Sequence, residues 1–255
     1  MTQRRITINS DMGEALGLHT FGNDEQLMSL IDLANVACGF HAGDPQTMSK
    51  TVALAAEHDV AVGAHPGLPD LVGFGRRRMA LTPDEVENLI TYQVGSLVGF
   101  LDRVGRPLNH VKPHGALWGM LAGDDDLMRA AARAVAPLGV PFLGLAGTAH
   151  ERICAEVGLA FVAEMYVDMN YNADGTLALV RAAHETDPVA AVARVDAALA
   201  GHPIDSVDGS PVTLKFDSIC VHSDGRNAVE VARAVRAAVD AATFAALAAT
   251  TPDQL

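Results

Sequence analysis

The sequence predicts an α/β protein built on parallel strands, arranged as a sheet or a barrel. Short apolar segments alternate about seven times with segments that carry helix signals, which is the pattern of repeated βα units. Polar residues, many of them able to bind a metal, directly follow these apolar segments. Because parallel strands end at a common edge, where α/β enzymes build their sites, we expect these residues to converge.

Seven apolar segments are the strand candidates. They centre on Ile6, Val36, Val60, Val111, Phe142, Phe161 and Ile219. Two of the intervening helices have strong start signals, because Asp44 precedes Pro45 and Thr82 is followed by Pro83 and then by Glu85. We predict helices over 24–33, 45–57, 83–104, 124–135, 148–157, 188–199 and 227–242. A long loop is expected over 165–187.

Composition limits the classes of function. The chain has 255 residues, 49% hydrophobic and 19% charged, with a net charge of −13. We therefore expect a single domain over residues 1–255 and no nucleic-acid or anionic-membrane partner. Apolar runs are shorter than the roughly 18 residues of a membrane span, and the N-terminus lacks a signal-peptide pattern. With three cysteines and no close pair, a cytoplasmic location is expected.

The first two strands are followed by candidate catalytic residues. Asp11 and Glu14 are carboxylates three residues apart, which could share a cation or divide into acid and base. Alternatively, Asp11 caps a turn. His41 stands in a glycine-flanked turn and could ligate a metal or act as a base, whereas Asp44 is expected to be a structural cap.

Two further clusters follow later strands. His65 ends an almost wholly apolar strand, where a buried imidazole needs a polar partner or a metal. Lys112 and His114 flank Pro113 in a rigid turn. A lysine there could bind a substrate carboxylate or stabilise an oxyanion, although a surface lysine is the common alternative.

The remaining candidates are expected to bind substrate. Arg76 opens a basic run beside a glycine-flanked Phe74 that is typical of a lid. Asp168 lies in the long loop, and His222 and Asp224 follow the last strand. The sequence contains no H-E-x-x-H zinc motif. A metal would therefore be held by residues of separate strands, with Asp11, His41 and His65 as candidates.

Five stretches resemble the LamB/YcsF family, and the resemblance covers essentially the whole chain. They are residues 9–14, 34–44, 63–66, 74–76 and 110–117. The resemblance implies a distorted seven-stranded (β/α) barrel of the glycoside hydrolase/deacetylase type. It also implies ATP-dependent opening of 5-oxo-L-proline to L-glutamate, carried out with separate B and C subunits. The family motifs carry over onto Asp11, Glu14, His41, His65, Lys112, His114, His222 and Asp224.

One departure from the family bears on the substrate. Where the family usually has A-D-R-x-Y, this chain has Asp168 followed by Met169, so the arginine is missing and the accepted lactam could differ. ATP use through the complex fits the absence of G-x-G-x-x-G and Walker A motifs. Two alternatives stay open: a stand-alone metal-dependent deacetylase or hydrolase on the same barrel, and a non-catalytic binding subunit. A homo-oligomer is compatible with each of them.

Overall fold

The computed structural model describes residues 5–20, 22–178 and 184–250, and ten strands lie within these ranges. Six of them form one parallel sheet in the order β3-β2-β1-β10-β5-β4, and the other four form two short hairpins. In chain order the strands are β1 (Thr7–Met12), β2 (Leu33–Ala37), β3 (Ala61–His65), β4 (Phe142–Gly144), β5 (Phe161–Tyr166), β6 (Asn170–Tyr171), β7 (Leu177–Ala178), β8 (Ile204–Asp205), β9 (Pro211–Val212) and β10 (Ser218–Cys220).

The segment around Val111, predicted as a seventh strand, forms isolated bridges instead. Val111 pairs with Ala64 of β3 on one side and with Phe142 of β4 on the other. Lys112 N donates to Ala64 O at 2.9 Å, but the next residue, Pro113, has no N–H with which to extend a ladder. The pairing therefore defines a curled six-stranded parallel sheet, whose two outer strands are bridged by residues 110–112.

Eight α-helices lie within the described residues, and most follow the strands that the sequence predicts. Thr82 forms the predicted capping box with Glu85, and the Asp44 side chain accepts hydrogen bonds from the N–H groups of Gln46 and Thr47. The helices are α1 (Asp24–Leu27), α2 (Pro45–Glu57), α3 (Pro83–Arg103), α4 (Gly115–Gly123), α5 (Asp125–Val135), α6 (Ala149–Val157), α7 (Pro188–Leu199) and α8 (Ala228–Thr250).

The helices differ from the predicted set in three places. The helix predicted over 24–33 is α1 followed by a 3-10 turn over Met28–Leu30. Asp32 ends it, because its N–H donates to Ile8 O and its carboxylate accepts from Ile8 N, which draws the chain into the sheet. Helix α4 is absent from the predicted set, and α8 continues beyond residue 242 to Thr250.

The predicted loop over 165–187 contains the hairpin of β6 and β7. Its base is tied to the main sheet, because Tyr166 N at the end of β5 donates to the Tyr171 hydroxyl at 2.8 Å. Residues 179–183 lie outside the described residues. The hairpin brings Leu177 beside the carboxyl ends of the parallel strands, where it lines a cavity.

The two faces of β1 differ in polarity. Ile8 is fully buried in the main apolar core beneath the helices, as is Ile219 of β10. Asn9 and Asp11 lie on the face of β1 opposite Ile8 and are also buried, as is Asn35 of β2 beside Asp11. Among the described helices, none is long and apolar enough to cross a membrane. The fold therefore concentrates buried polar groups at the carboxyl ends of its strands.

Candidate active site

Lys112 is a fixed internal cation. It is 2% exposed, and its Nζ lies 3.1 Å from each of four atoms, which are Asn9 Oδ1, Asp11 Oδ1, Cys220 Sγ and Glu164 Oε1. Burial lowers the pKa of Lys112, but Asp11 and its other neighbours more than compensate and hold the pKa well above its ordinary value. Because its three protons are used inside the protein, this geometry favours a role in holding Asp11 over the predicted contact with a substrate carboxylate.

Asp11 presents one oxygen to Lys112 and the other to two imidazoles. Its Oδ1 also accepts from Asn35 Nδ2 at 2.9 Å, while Oδ2 lies 3.2 Å from His65 Nε2 and 3.6 Å from His222 Nε2. Burial raises the pKa of Asp11, but His65 and Lys112 outweigh it and hold the pKa well below its ordinary value. Asp11 is therefore an ionised acceptor at the floor of the site.

His222 is oriented by Asp168. The Asp168 carboxylate accepts from His222 N at 2.7 Å and from Nδ1 at 2.9 Å, while the imidazole ring stacks on Tyr166 with centroids 5.8 Å apart. Burial lowers the pKa of His222, but Asp168 and then Asp11 raise it to about 9. His222 is thus an imidazolium at neutral pH, and its Nε2–H points toward the Asp11 side.

Glu14 and three histidines form a second group beside Asp11, which we call the histidine cluster: Glu14, His41, His65 and His114. Glu14 Oε1 lies 3.2 Å from His41 Nε2 and 3.5 Å from His114 Nδ1, and His65 Nε2 lies 3.0 Å from His114 Nδ1. All four residues are buried, and the rings of His41 and His114 stack at 3.8 Å. Burial lowers the pKa values of His41 and His114 well below their ordinary range, so both rings are neutral.

Two sets of side chains within the described residues have donor atoms close enough to hold a metal ion. One is the histidine cluster, and the other consists of Asp11, Cys220 and His222. The Lys112 ammonium already lies at 3.1 Å from both Asp11 and Cys220. The set of Asp11, Cys220 and His222 is therefore already paired with a cation. Of the three predicted metal candidates, His41 and His65 belong to the histidine cluster and Asp11 does not.

The predicted lid is packed directly on the histidine cluster. Phe74 and Gly75 have positive φ values of 54° and 63°, and a side chain at Gly75 would lie 2.6 Å from His41 Cβ. Arg76 pairs with Asp224 at 2.8 Å and lies over the Phe74 ring. The segment therefore closes one side of the site and places the Arg76 guanidinium at its edge.

A cavity of about 480 Å³ opens over Asp11. All the predicted substrate-binding residues line it, as do Trp118, Met169, Leu177 and Thr186. None of these four residues was predicted from the sequence as a site residue. Trp118 Nε1 and Thr186 Oγ1 are buried atoms without a hydrogen-bond partner. Both are polar groups that a bound molecule could satisfy.

Cysteine chemistry is not favoured at this site. Burial raises the pKa of Cys38 to about 12 and that of Cys220 well above its ordinary value. Both are free and buried thiols, so neither is an activated nucleophile. The chemistry of the site therefore rests on Asp11 and the surrounding imidazoles.

Taken together, the fold and the site define an α/β protein with a buried acid–base centre below a small-molecule cavity. The LamB/YcsF family model matches residues 6–253. The chain belongs to the LamB/YcsF family, as its motifs predict.

Relatives with established names agree with this assignment. The chain is 47% identical over 236 residues to the A subunit of 5-oxoprolinase from Limosilactobacillus fermentum, covering 91% of this chain and 94% of that protein. It is 45% identical over 242 residues to the lactam utilization protein lamB of Emericella nidulans, covering 93% and 95%. The crystal structure of the lactam utilization protein from Thermus thermophilus superimposes with a TM-score of 0.86 at 43% identity, covering 94% of this chain and 97% of that one.

Proposed function

We propose that this chain is the A subunit of a 5-oxoprolinase, which opens 5-oxo-L-proline to L-glutamate together with B and C subunits and with ATP. The observation that carries the proposal is the pairing of an ionised Asp11 with an imidazolium, His222, on the floor of the cavity. The names of the relatives, which are 5-oxoprolinase A subunits and a lactam utilization protein, support the substrate class.

Asp11 and His222 have complementary roles in this proposal. Hydrolysis of a lactam adds water to the ring carbonyl and breaks the C–N bond, so it needs an acceptor for the proton of water and a donor for the developing oxyanion. Asp11 Oδ2 faces the cavity as the acceptor, and His222 Nε2–H is the nearby donor. Lys112 keeps Asp11 ionised from behind, and Asp168 keeps His222 protonated.

The cavity offers specific positions for a small acidic lactam. Its volume, about 480 Å³, falls within the range of small-molecule sites. The Trp118 Nε1–H is an unused donor in its wall, and Arg76 and Arg78 line the edge. We propose that Trp118 donates to the bound lactam and that the arginines face its carboxylate.

ATP dependence and partner subunits are part of the proposal. An unstrained lactam is a resonance-stabilised amide. Transfer of a phosphoryl group from ATP to its carbonyl oxygen, with release of ADP, would activate the ring carbon for attack by water. The C–N bond then breaks, and hydrolysis of the resulting acyl phosphate by a second water releases glutamate and phosphate. The sequence has no glycine-rich phosphate loop, which fits nucleotide binding by another subunit. We also infer that residues 110–112, which bridge β3 and β4, complete a distorted seven-stranded barrel.

Substitution of Asp11 tests the proposal. In the complex with its partner subunits, Asp11→Asn should lower the rate of glutamate formation by about 10²–10⁴-fold. Asp32→Asn is the matched control, because Asp32 pairs with Arg236 away from the cavity. Full activity of Asp11→Asn would refute the assignment. ATP-independent release of acetate from an N-acetylated sugar by the isolated wild-type chain would support the metal-dependent deacetylase instead.

A further inference from the structure

We propose that the histidine cluster binds one divalent transition-metal ion of the Zn²⁺ class. This inference rests on the arrangement of donor atoms in the cluster and not on the lactam reaction. It concerns Glu14, His41, His65 and His114, whose donor atoms lie within 4.8 Å of one another.

Two backbone carbonyl groups fix the protonation of the rings. His65 Nδ1 lies 2.6 Å from Lys112 O, and His114 Nε2 lies 2.8 Å from Phe74 O. A carbonyl oxygen only accepts, so both of these nitrogens carry a proton. The other nitrogen of each ring, His65 Nε2 or His114 Nδ1, is the one that faces the cluster. Ligating histidines are typically held in this way, by donating their outer N–H to a backbone carbonyl.

The inward nitrogens of the two rings face each other. His65 Nε2 and His114 Nδ1 are 3.0 Å apart, and His65 Nε2 also lies 3.2 Å from Asp11 Oδ2. Glu14 Oε1 lies 3.5 Å from His114 Nδ1. In each ring the nitrogen that does not meet a backbone carbonyl faces the other donor atoms of the cluster, which is the arrangement of metal-ligating histidines.

Three spacings between the donor atoms are close to those of tetrahedral coordination. Nitrogen and oxygen ligands lie about 2.0–2.2 Å from Zn²⁺, so neighbouring ligand atoms in a tetrahedron are about 3.4 Å apart. In the cluster the three contacts are 3.0, 3.2 and 3.5 Å. The fourth ligand is His41, whose Nε2 contacts Glu14 and whose Nδ1 has no hydrogen-bond partner.

The donor set also selects the class of ion. Imidazole nitrogens suit Zn²⁺, Co²⁺ and Ni²⁺, whereas Mg²⁺ and Ca²⁺ prefer sites made wholly of oxygen. Lys112 neutralises Asp11 and also contacts Glu164 and Cys220. Its charge is therefore directed to those residues and not to the histidine cluster. Glu14 and His41 also line a second cavity of about 830 Å³, which gives an ion a route to the cluster.

Cobalt titration of the untagged full-length chain tests this site without any substrate. Co²⁺ should bind with one equivalent and give the intense visible absorption of tetrahedral Co²⁺, and bound Zn²⁺ should raise the melting temperature. Glu14→Gln should weaken binding at least about 100-fold, since even outer-shell changes cost roughly 10–100-fold. His58→Gln and His202→Gln, at exposed positions outside the cluster, should bind as the wild type does.

The outcomes separate this proposal from the proposed function. Absence of Co²⁺ and Zn²⁺ binding at millimolar concentration, or equal affinity of the wild type and Glu14→Gln, would overturn the metal site whatever the activity. If Glu14→Gln fails to fold, His41→Gln replaces it, with the same loss expected. Metal binding by the chain, together with no 5-oxoproline turnover in the complete mixture with ATP and both partner subunits, would leave the site standing and remove the proposed reaction.

Discussion

Lys112 Nζ and Asp11 Oδ1 lie 3.1 Å apart in the interior of the curled sheet. Both residues are buried, so this ion pair experiences little screening by solvent. The pair joins the segment that bridges the outer strands to β1, which runs through the middle of the sheet. The charge that keeps Asp11 ionised is thus supplied by the chain itself, before any substrate enters.

Replacing Lys112 by methionine removes that charge. Asp11 and Glu164 would then be buried without their cation, and the free energy of unfolding should fall by about 3–5 kcal/mol. Since Lys112 acts on Asp11, kcat should fall for 5-oxoproline and for the neutral lactam 2-pyrrolidinone by similar factors. Steady-state kinetics on both substrates measure this, with exposed Lys50→Met as the control. A loss confined to the acidic lactam would show that Lys112 binds the substrate carboxylate.

The pair of His222 and Asp168 predicts a pH dependence of stability. The pKa of His222 is raised to about 9 in the folded chain, against about 6.5 when unfolded. The stabilisation that protonated His222 adds to the free energy of unfolding is therefore complete below about pH 6.5. It is lost as the pH rises through 9. Asp168→Asn should lower the free energy of unfolding by about 2 kcal/mol near pH 6. This difference should shrink toward pH 9.

Urea unfolding of both proteins across this pH range gives the comparison. NMR titration of labelled histidine should also show the pKa of His222 falling toward its ordinary value in Asp168→Asn. A destabilisation that is constant from pH 6 to pH 9 would mean that Asp168 acts through its backbone hydrogen bond to His222 N and not through charge.

Trp118 offers a direct probe of lactam binding. It is the single tryptophan of the chain. It lines the cavity, and its Nε1–H is buried without a hydrogen-bond partner. Binding of 5-oxoproline should change the tryptophan fluorescence. Trp118→Phe should raise the Kd by about 3–10-fold, which corresponds to one hydrogen bond. Isothermal titration calorimetry on both proteins supplies that Kd, and an unchanged value would place the lactam elsewhere in the cavity.

Met169 predicts the charge preference of the site. It lines the cavity at the position where family members usually carry an arginine. Met169→Arg should lower the KM for 5-oxoproline by about tenfold relative to 2-pyrrolidinone, because a guanidinium adds a charge-assisted bond to a carboxylate. Met169→Gln, which is polar but uncharged, should leave the ratio unchanged. If the arginine variant also leaves it unchanged, the substrate carboxylate does not approach this wall.

Local signals in the sequence account for much of the fold. The caps at Asp44 and Thr82 depend on residues within three positions, so they are visible in the sequence and confirmed in the structure. Helix α4 is different, because its apolar residues are buried on most sides and produce no polar face. The bridging role of Val111 depends on the curl of the sheet, which no local signal specifies.

The candidate site is likewise predictable from the sequence only in part. Because parallel strands share an edge, the positions of Asp11, His65 and His222 after apolar segments place them together. Glu164 contacts Lys112 from within an apolar strand, and only the register of β5 beside β10 brings it there. Which nitrogen of His65 and of His114 faces the cluster depends on the carbonyl that each ring meets, which is a property of the folded chain alone.

Formation of glutamate from 5-oxo-L-proline by the purified chain is the most direct test of the proposed function. The assay compares the chain alone, the chain with ATP, and the chain with ATP and both partner subunits. Glutamate and ADP should appear in equal amounts, and only in the third mixture. Glutamate formation by the isolated chain without ATP would contradict the account, as would its absence from the complete mixture.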